Sequence, residues 1–166
     1  TDTGATLLCR FGGVSLLSVD ATYVSSTEIT CSSPVSVSTG SVPIYVSVDG
    51  SQWHHTGAMF KYHDMISVST IYPVSAPSVG GTIIRVSGSG FIDSSSLLCK
   101  FNNDKTSSSH FLSSNLIECA TPVLSSGDVT VEVTNNGLDF TSDLAVLNIY
   151  NEPTITAVNP SIVPAK

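Results

Sequence analysis

Hydrophobic and polar residues alternate along this chain in short runs separated by clusters of Gly, Pro, Ser and Asn. In Leu97-Leu98-Cys99-Lys100-Phe101 a period of two puts Leu97, Cys99 and Phe101 on one face and Lys100 on the other. Ile117 and Cys119 likewise share a face, and Val129, Val131 and Val133 face inward while Thr130, Glu132 and Thr134 face water. No stretch keeps helical periodicity for longer than a turn, so the pattern predicts an all-β fold. In the second half of the chain the strands are predicted at Ile66 to Tyr72, Thr82 to Ser87, Leu97 to Phe101, Leu116 to Ala120, Val129 to Thr134, and Leu138 to Ile149 with an internal break. Asn136-Gly137 sits between two such strands and Asp49-Gly50 occupies the equivalent place in the first half, both being dipeptides that favour the type I′ turn matching strand twist. Gly80-Gly81 and Gly88-Ser89-Gly90 mark tight backbone. Six or seven short strands with these turns argue for a two-sheet sandwich of the immunoglobulin type, and a repeat of the pattern would make the fold tandem immunoglobulin-like β-sandwiches.

The pattern repeats. Leu7-Leu8-Cys9-Arg10-Phe11 returns about ninety residues later as Leu97-Leu98-Cys99-Lys100-Phe101. Ile29-Thr30-Cys31-Ser32-Ser33-Pro34 returns as Ile117-Glu118-Cys119-Ala120-Thr121-Pro122, and Val42, Ile44, Val46 and Gly50 return as Val129, Val131, Val133 and Gly137. Pro73 and Pro77 recur at Pro160 and Pro164, opening a third copy. A fixed period of this size marks an array. Residues 1 to 64 are therefore expected to form a partial unit built of later strands only, 65 to 151 a complete unit, and 152 to 166 the first strand of a further unit or a donor strand.

Composition narrows the class. The 166 residues are 41% hydrophobic, enough to build cores, yet only 11% charged, with a net charge of −7. Six scattered Lys and Arg cannot neutralise a run of phosphates, so nucleic-acid binding is not expected. Ser and Thr occupy 46 positions, which suits exposed strand faces and would also suit O-linked glycans. The single Asn-x-Ser sequence, Asn159-Pro160-Ser161, carries the excluded proline. No apolar run is long enough to cross a bilayer, and Thr1 to Arg10 lacks the features of a signal peptide. The cysteines fall two per repeat, Cys9 with Cys31 and Cys99 with Cys119, too far apart for a zinc knuckle. Two disulfides within the repeats are the simplest account and imply a place outside the cytosol. Four buried free thiols remain the alternative.

Pro73, Gly80-Gly81-Thr82, Val86, Gly88, Gly90-Phe91, Cys99, Phe101, Cys119, Pro122, Gly127, Val129, Val131, Val133 and Asn136-Gly137 together resemble the signature of IPT/TIG domains. The resemblance covers Ile66 to Tyr150 in full, Leu7 to Tyr62 as the later part of a preceding copy, and Glu152 to Lys166 as the start of a following one. It implies an early-set immunoglobulin-like sandwich and an extracellular spacer or adhesion role. It supplies no catalytic residues.

Residue chemistry adds little to this. Trp53, the only tryptophan, invites a ligand-stacking role, but it aligns with Phe140 and is expected to be a buried or half-buried strand aromatic. Tyr62 and Tyr150 are near-equivalents expected to pack where repeats meet. Adjacent His54 and His55 point to opposite faces in regular β geometry, and His63 and His110 lie far off, so no metal or other cofactor is expected. No Gly-x-Ser-x-Gly elbow or nucleophile, base and orienter set is present, so no enzyme activity is expected.

The first repeat lacks any counterpart of Ile66 through Phe91. Its groove belongs either to a longer array or to another subunit that adds a strand. The segment carrying Ile155, Val158, Ile162 and Val163 is the candidate donor, in which case head-to-tail self-association builds a stalk, fibre or filament. The rival reading is a receptor ectodomain that recognises a protein or sugar through loops such as Asn102 to His110. A third is an accessory domain beside a polysaccharide-acting enzyme.

Overall fold

The computed structural model describes residues 6–12, 18–36, 38–102 and 104–162. These form two compact units, Thr1–Asp64 and Met65–Lys166. All the regular structure described is β.

The first unit holds β1 (Leu8–Phe11), β2 (Ser18–Ser25), β3 (Glu28–Cys31), β4 (Gly40–Ser47) and β5 (His54–Tyr62). They form one antiparallel sheet in the order β3-β2-β1-β4-β5. Alternation on β1 sends Cys9 and Phe11 inward, where Phe11 meets the Phe60 ring edge-on at 5.2 Å, while Leu8 and Arg10 take the other face. Among the described residues of this unit only Cys9, Phe11 and Ser47 are buried.

The second unit holds β6 (Ser67–Tyr72), β7 (Ser75–Pro77), β8 (Ile83–Ser89), β9 (Leu98–Phe101), β10 (Lys105–Ser113), β11 (Leu116–Ala120), β12 (Gly127–Thr134) and β13 (Ala145–Tyr150). Hydrogen bonding runs β6-β8-β11-β10-β9-β12-β13-β7. β10 makes the sandwich possible: its first half pairs with β9 and its second half with β11, so one strand passes from one sheet to the other. β6 then packs across β12 and β13. Val68, Ile71, Ile84, Val86, Phe91, Phe101, Ile117, Val129, Val131, Val133, Leu147 and Ile149 close the core between the sheets. Gly88 lets β6 approach β8, since a Cβ there would run into the Ser67 carbonyl.

Several expected elements differ in detail. The stretch Asn102 to His110, expected to be a loop, lies mostly in β10. Its Ser-rich sequence carries no apolar alternation, and the strand is specified instead by neighbours on both sides. β7 is too short and too proline-flanked to show a period, and it joins β13 in parallel. Within Leu138 to Ile149 only Ala145 onward is strand. Asn136-Gly137 and Asp49-Gly50 do not make two-residue hairpins, because several residues separate each from the next strand. The side chains of Asn136 and Asp49 instead cap the turn, and Gly137 and Gly50 adopt the positive φ it requires.

Candidate functional site

Two disulfides tie the units internally: Cys9 to Cys31, joining β1 and β3, and Cys99 to Cys119, joining β9 and β11. In each, the Cα atoms are 6.3 Å apart, and the two linked strands both pair with the strand that lies between them in sequence. Closing a loop of about twenty residues is worth roughly 3 kcal/mol.

The outer face of the first sheet carries a row of polar and aromatic side chains set by register. Arg10 on β1 stands opposite Ser18 on β2 and Tyr45 on β4, and Tyr45 stands opposite His55 on β5. Trp53, half-buried just before β5, swings over the row. The Arg10 guanidinium lies 4.7 Å from the Tyr45 ring centre and 4.5 Å from that of Trp53. His55 meets Tyr45 edge-on at 5.1 Å. The Arg10 Nε is buried and makes no hydrogen bond among the described residues.

The equivalent positions in the second unit are chemically closed. Lys100 replaces Arg10, Glu132 replaces Tyr45, and Phe140 replaces Trp53. The Lys100 ammonium sits 2.7 Å from the Glu132 carboxylate and 4.2 Å from the Phe140 ring centre. Trp53 is half-buried and Phe140 is its counterpart, as the repeat predicts, but both lie in the connections before β5 and β13 rather than on strands, and the cation beside each follows only from the pairing of β1 with β4 and of β9 with β12.

A second cluster crosses β6, β8, β11 and β10. Tyr72 pairs in register with Arg85, Arg85 with Glu118, and Glu118 with His110. Arg85 Nε donates to Glu118 Oε1 at 3.1 Å. Tyr72, Pro73, Ile83, Arg85 and Glu118 line a shallow depression of about 290 Å³. Tyr72 and Ile83 are 74% and 54% exposed there. Among the described residues no three His, Cys, Asp or Glu side chains converge as a metal site would require.

The remaining expected site residues lie apart from both clusters. Ile155, Val158 and Ile162 are exposed and outside any strand, and Val163 lies outside the described residues. The Tyr62 hydroxyl donates to the Pro34 carbonyl within the first unit, and burial raises its pKa.

The sandwich topology, the repeated Cys pair and the repeated turn glycines match a known family: the IPT/TIG domain model fits residues 3–62 and 67–148. The chain belongs to the IPT/TIG family. It is 32% identical to human Fibrocystin-L over 154 residues, covering 90% of this chain and 3% of that protein. It is also 32% identical to Plexin-2 of Caenorhabditis briggsae over 156 residues, covering 86% of this chain and 9% of that protein. The chain therefore spans less than a tenth of these relatives. Among solved structures, the full extracellular region of plexin A4 superposes with a TM-score of 0.55 at 16% identity, over 94% of this chain and 13% of that one. That likeness speaks to the fold alone.

Proposed function

We propose that this chain is an extracellular segment of a cell-surface receptor, a tandem of IPT/TIG units that holds ligand-recognising sheet faces away from the membrane. One observation carries the reading: the family match runs through both repeats, each with its own cross-strand disulfide. Disulfides persist where the environment is oxidising. The similarity to Plexin-2 and Fibrocystin-L supports the same setting. In this reading the segment recognises rather than catalyses. Surface biotinylation and external proteolysis of cells making the full-length protein test it. The segment is expected to be labelled from outside, with all four cysteines resisting alkylation until a reductant is added. Thiols that alkylate freely, or protection from external protease, would overturn it.

A second reading, self-association into a stalk or filament, has one supporting observation. The repeat offset aligns Ile155 with Val68 and Val158 with Ile71. Val68 and Ile71 are buried on β6, whereas Ile155 and Val158 are 88% and 71% exposed. Sedimentation over a range of concentrations separates the two readings. A mass that rises with concentration, and stops rising in Ile155→Asp with Val158→Asp, supports association; a monomer throughout removes it.

A further inference from the structure

We propose that Arg10, Tyr45, Trp53 and His55 bind a carboxylated sugar, of the sialic or uronic acid class, on the outer face of the first unit. The proposal rests on the extracellular reading above and gives that face a ligand chemistry.

The charge on Arg10 is the starting point. Its guanidinium is stacked against Tyr45 and Trp53, and its buried Nε has no hydrogen-bond partner. Among the described residues no carboxylate lies within ion-pairing distance of it. Asp20, the acid on the neighbouring strand, stands opposite Leu8 rather than Arg10. A partly desolvated cation without an internal counter-ion is stabilised when an anion reaches the exposed end of its guanidinium. A guanidinium held against two rings loses little freedom when its planar fork meets the two oxygens of a carboxylate.

The second unit shows how the fold closes the same position when no ligand is wanted. There Glu132 stands where Tyr45 stands, 2.7 Å from the cation, and both partners are mostly buried, with side chains 18% and 13% exposed. The first unit exchanges that carboxylate for an aromatic ring and adds His55, where the second has Ser142. The exchange removes the internal counter-ion and supplies apolar surface beside the cation.

That combination selects a sugar acid over other anions. A net charge of −7 on the chain repels polyanions such as sulfated chains or nucleic acid, so a single carboxylate placed locally suits the site better. A sugar ring offers an apolar face to Tyr45, Trp53 and His55 while its carboxylate meets Arg10. An acidic side chain of a polypeptide would use the guanidinium and leave the rings idle.

The test is a titration of the isotope-labelled 166-residue chain, followed by NMR. Trp53 is the only tryptophan, so its indole N–H reports on the site without ambiguity. Sialyllactose is expected to shift that signal saturably, and lactose is not. Tyr45→Glu places a carboxylate opposite Arg10, as Glu132 is opposite Lys100, and is expected to weaken sialyllactose binding at least about tenfold while Arg10 stays stacked on Trp53. Arg10→Gln is expected to do the same; if that variant misfolds, Tyr45→Glu decides. An equal response to lactose, no shift of the indole signal, or undiminished binding by Tyr45→Glu would overturn the proposal. An equal shift with a Glu-rich peptide would reassign the site to acidic polypeptides and overturn it as well. None of these outcomes bears on whether the segment is extracellular, which biotinylation decides separately.

Discussion

The two units share one five-strand plan and differ in what covers it. β1 to β5 correspond to β9 to β13 in order and pairing, with the same disulfide and the same capped turn. In the second unit β6, β7 and β8 complete that plan and bury Phe101, Val131 and Val133 at essentially no exposure. In the first, the counterparts Ile44 and Val46 are only half-buried, and Phe11 keeps 9% exposure. Strand pairing and a disulfide thus specify a sheet, while a core requires a second layer. The outer faces differ as well: Lys100 of the second unit is neutralised by Glu132, whereas Arg10 of the first stands opposite Tyr45 and has no carboxylate partner among the described residues.

Truncating equivalent core aromatics should widen that contrast most. Phe101→Ala is expected to cost about 3–5 kcal/mol, the range for a large buried side chain whose cavity cannot collapse. Phe11→Ala should cost less, about 2–3 kcal/mol, because its neighbours Ile44, Val46 and Phe60 are only half-buried and little enclosed cavity would be left. Chemical denaturation of the two variants, read with unit-specific probes, checks the ordering; equal losses would mean that both units are equally well covered. Next in size is the disulfide. Replacing Cys99 and Cys119 by Ser should remove roughly 3 kcal/mol and leave a folded, weakened sandwich, because the core persists. The same change at Cys9 and Cys31 should expose the first unit to limited proteolysis at concentrations the parent resists.

Much of this contrast was legible in the sequence, and the reasons for the rest are physical. Strands with a buried face, such as those bearing Val129, Val131 and Val133 or Ile117 and Cys119, announce themselves by alternation. The Cys pairs and the Gly turns were readable because the chain carries two copies to compare. β10 was not, because Thr106 to Ser109 put hydroxyls on both its faces and only its partners decide that it is extended. The Arg10 site was half legible. Aligning Arg10 with Lys100 and Tyr45 with Glu132 needs only the repeat, but that each cation stands opposite its partner on a paired strand of its own unit needs the register. The row from Tyr72 to His110 required the β6-β8-β11-β10 order, which no local period encodes.

A smaller effect is expected from the charge pair itself. Glu132→Gln removes the partner of a largely buried Lys100 and should cost about 1–2 kcal/mol, between the values for exposed and fully buried pairs. Glu132→Tyr, which copies the first unit, should cost less, since the new ring can pack on the ammonium beside Phe140. Thermal unfolding of the two variants would show the order, and a tyrosine variant weaker than the glutamine one would mean that the first unit's arrangement depends on features absent from the second.

The smallest difference is also the most selective, because it appears only in acid. Asp49 and Asn136 make the same turn: Asp49 Oδ1 accepts from the backbone N–H of Gln52 at 2.7 Å and Ser51 at 2.8 Å, and Asn136 Oδ1 accepts from those of Asp139 and Leu138, each at 2.9 Å. The hydrogen bonds from Gln52 and then Ser51 favour the ionised carboxylate and lower the Asp49 pKa from 3.8 to about 2. A depressed folded-state pKa contributes stability that is present above the unfolded value and is lost as pH falls through the folded one. Between about pH 4 and about pH 2 the first unit should therefore lose stability through Asp49, whereas the equivalent turn of the second unit, capped by an amide, contributes no such term. Asp49→Asn should flatten that part of the first unit's acid response while preserving the turn, because an amide oxygen already performs the same role at Asn136. Denaturation midpoints of parent and variant across that window test the point. Parallel acid curves would show that the carboxylate is no better held in the folded turn than in the unfolded chain.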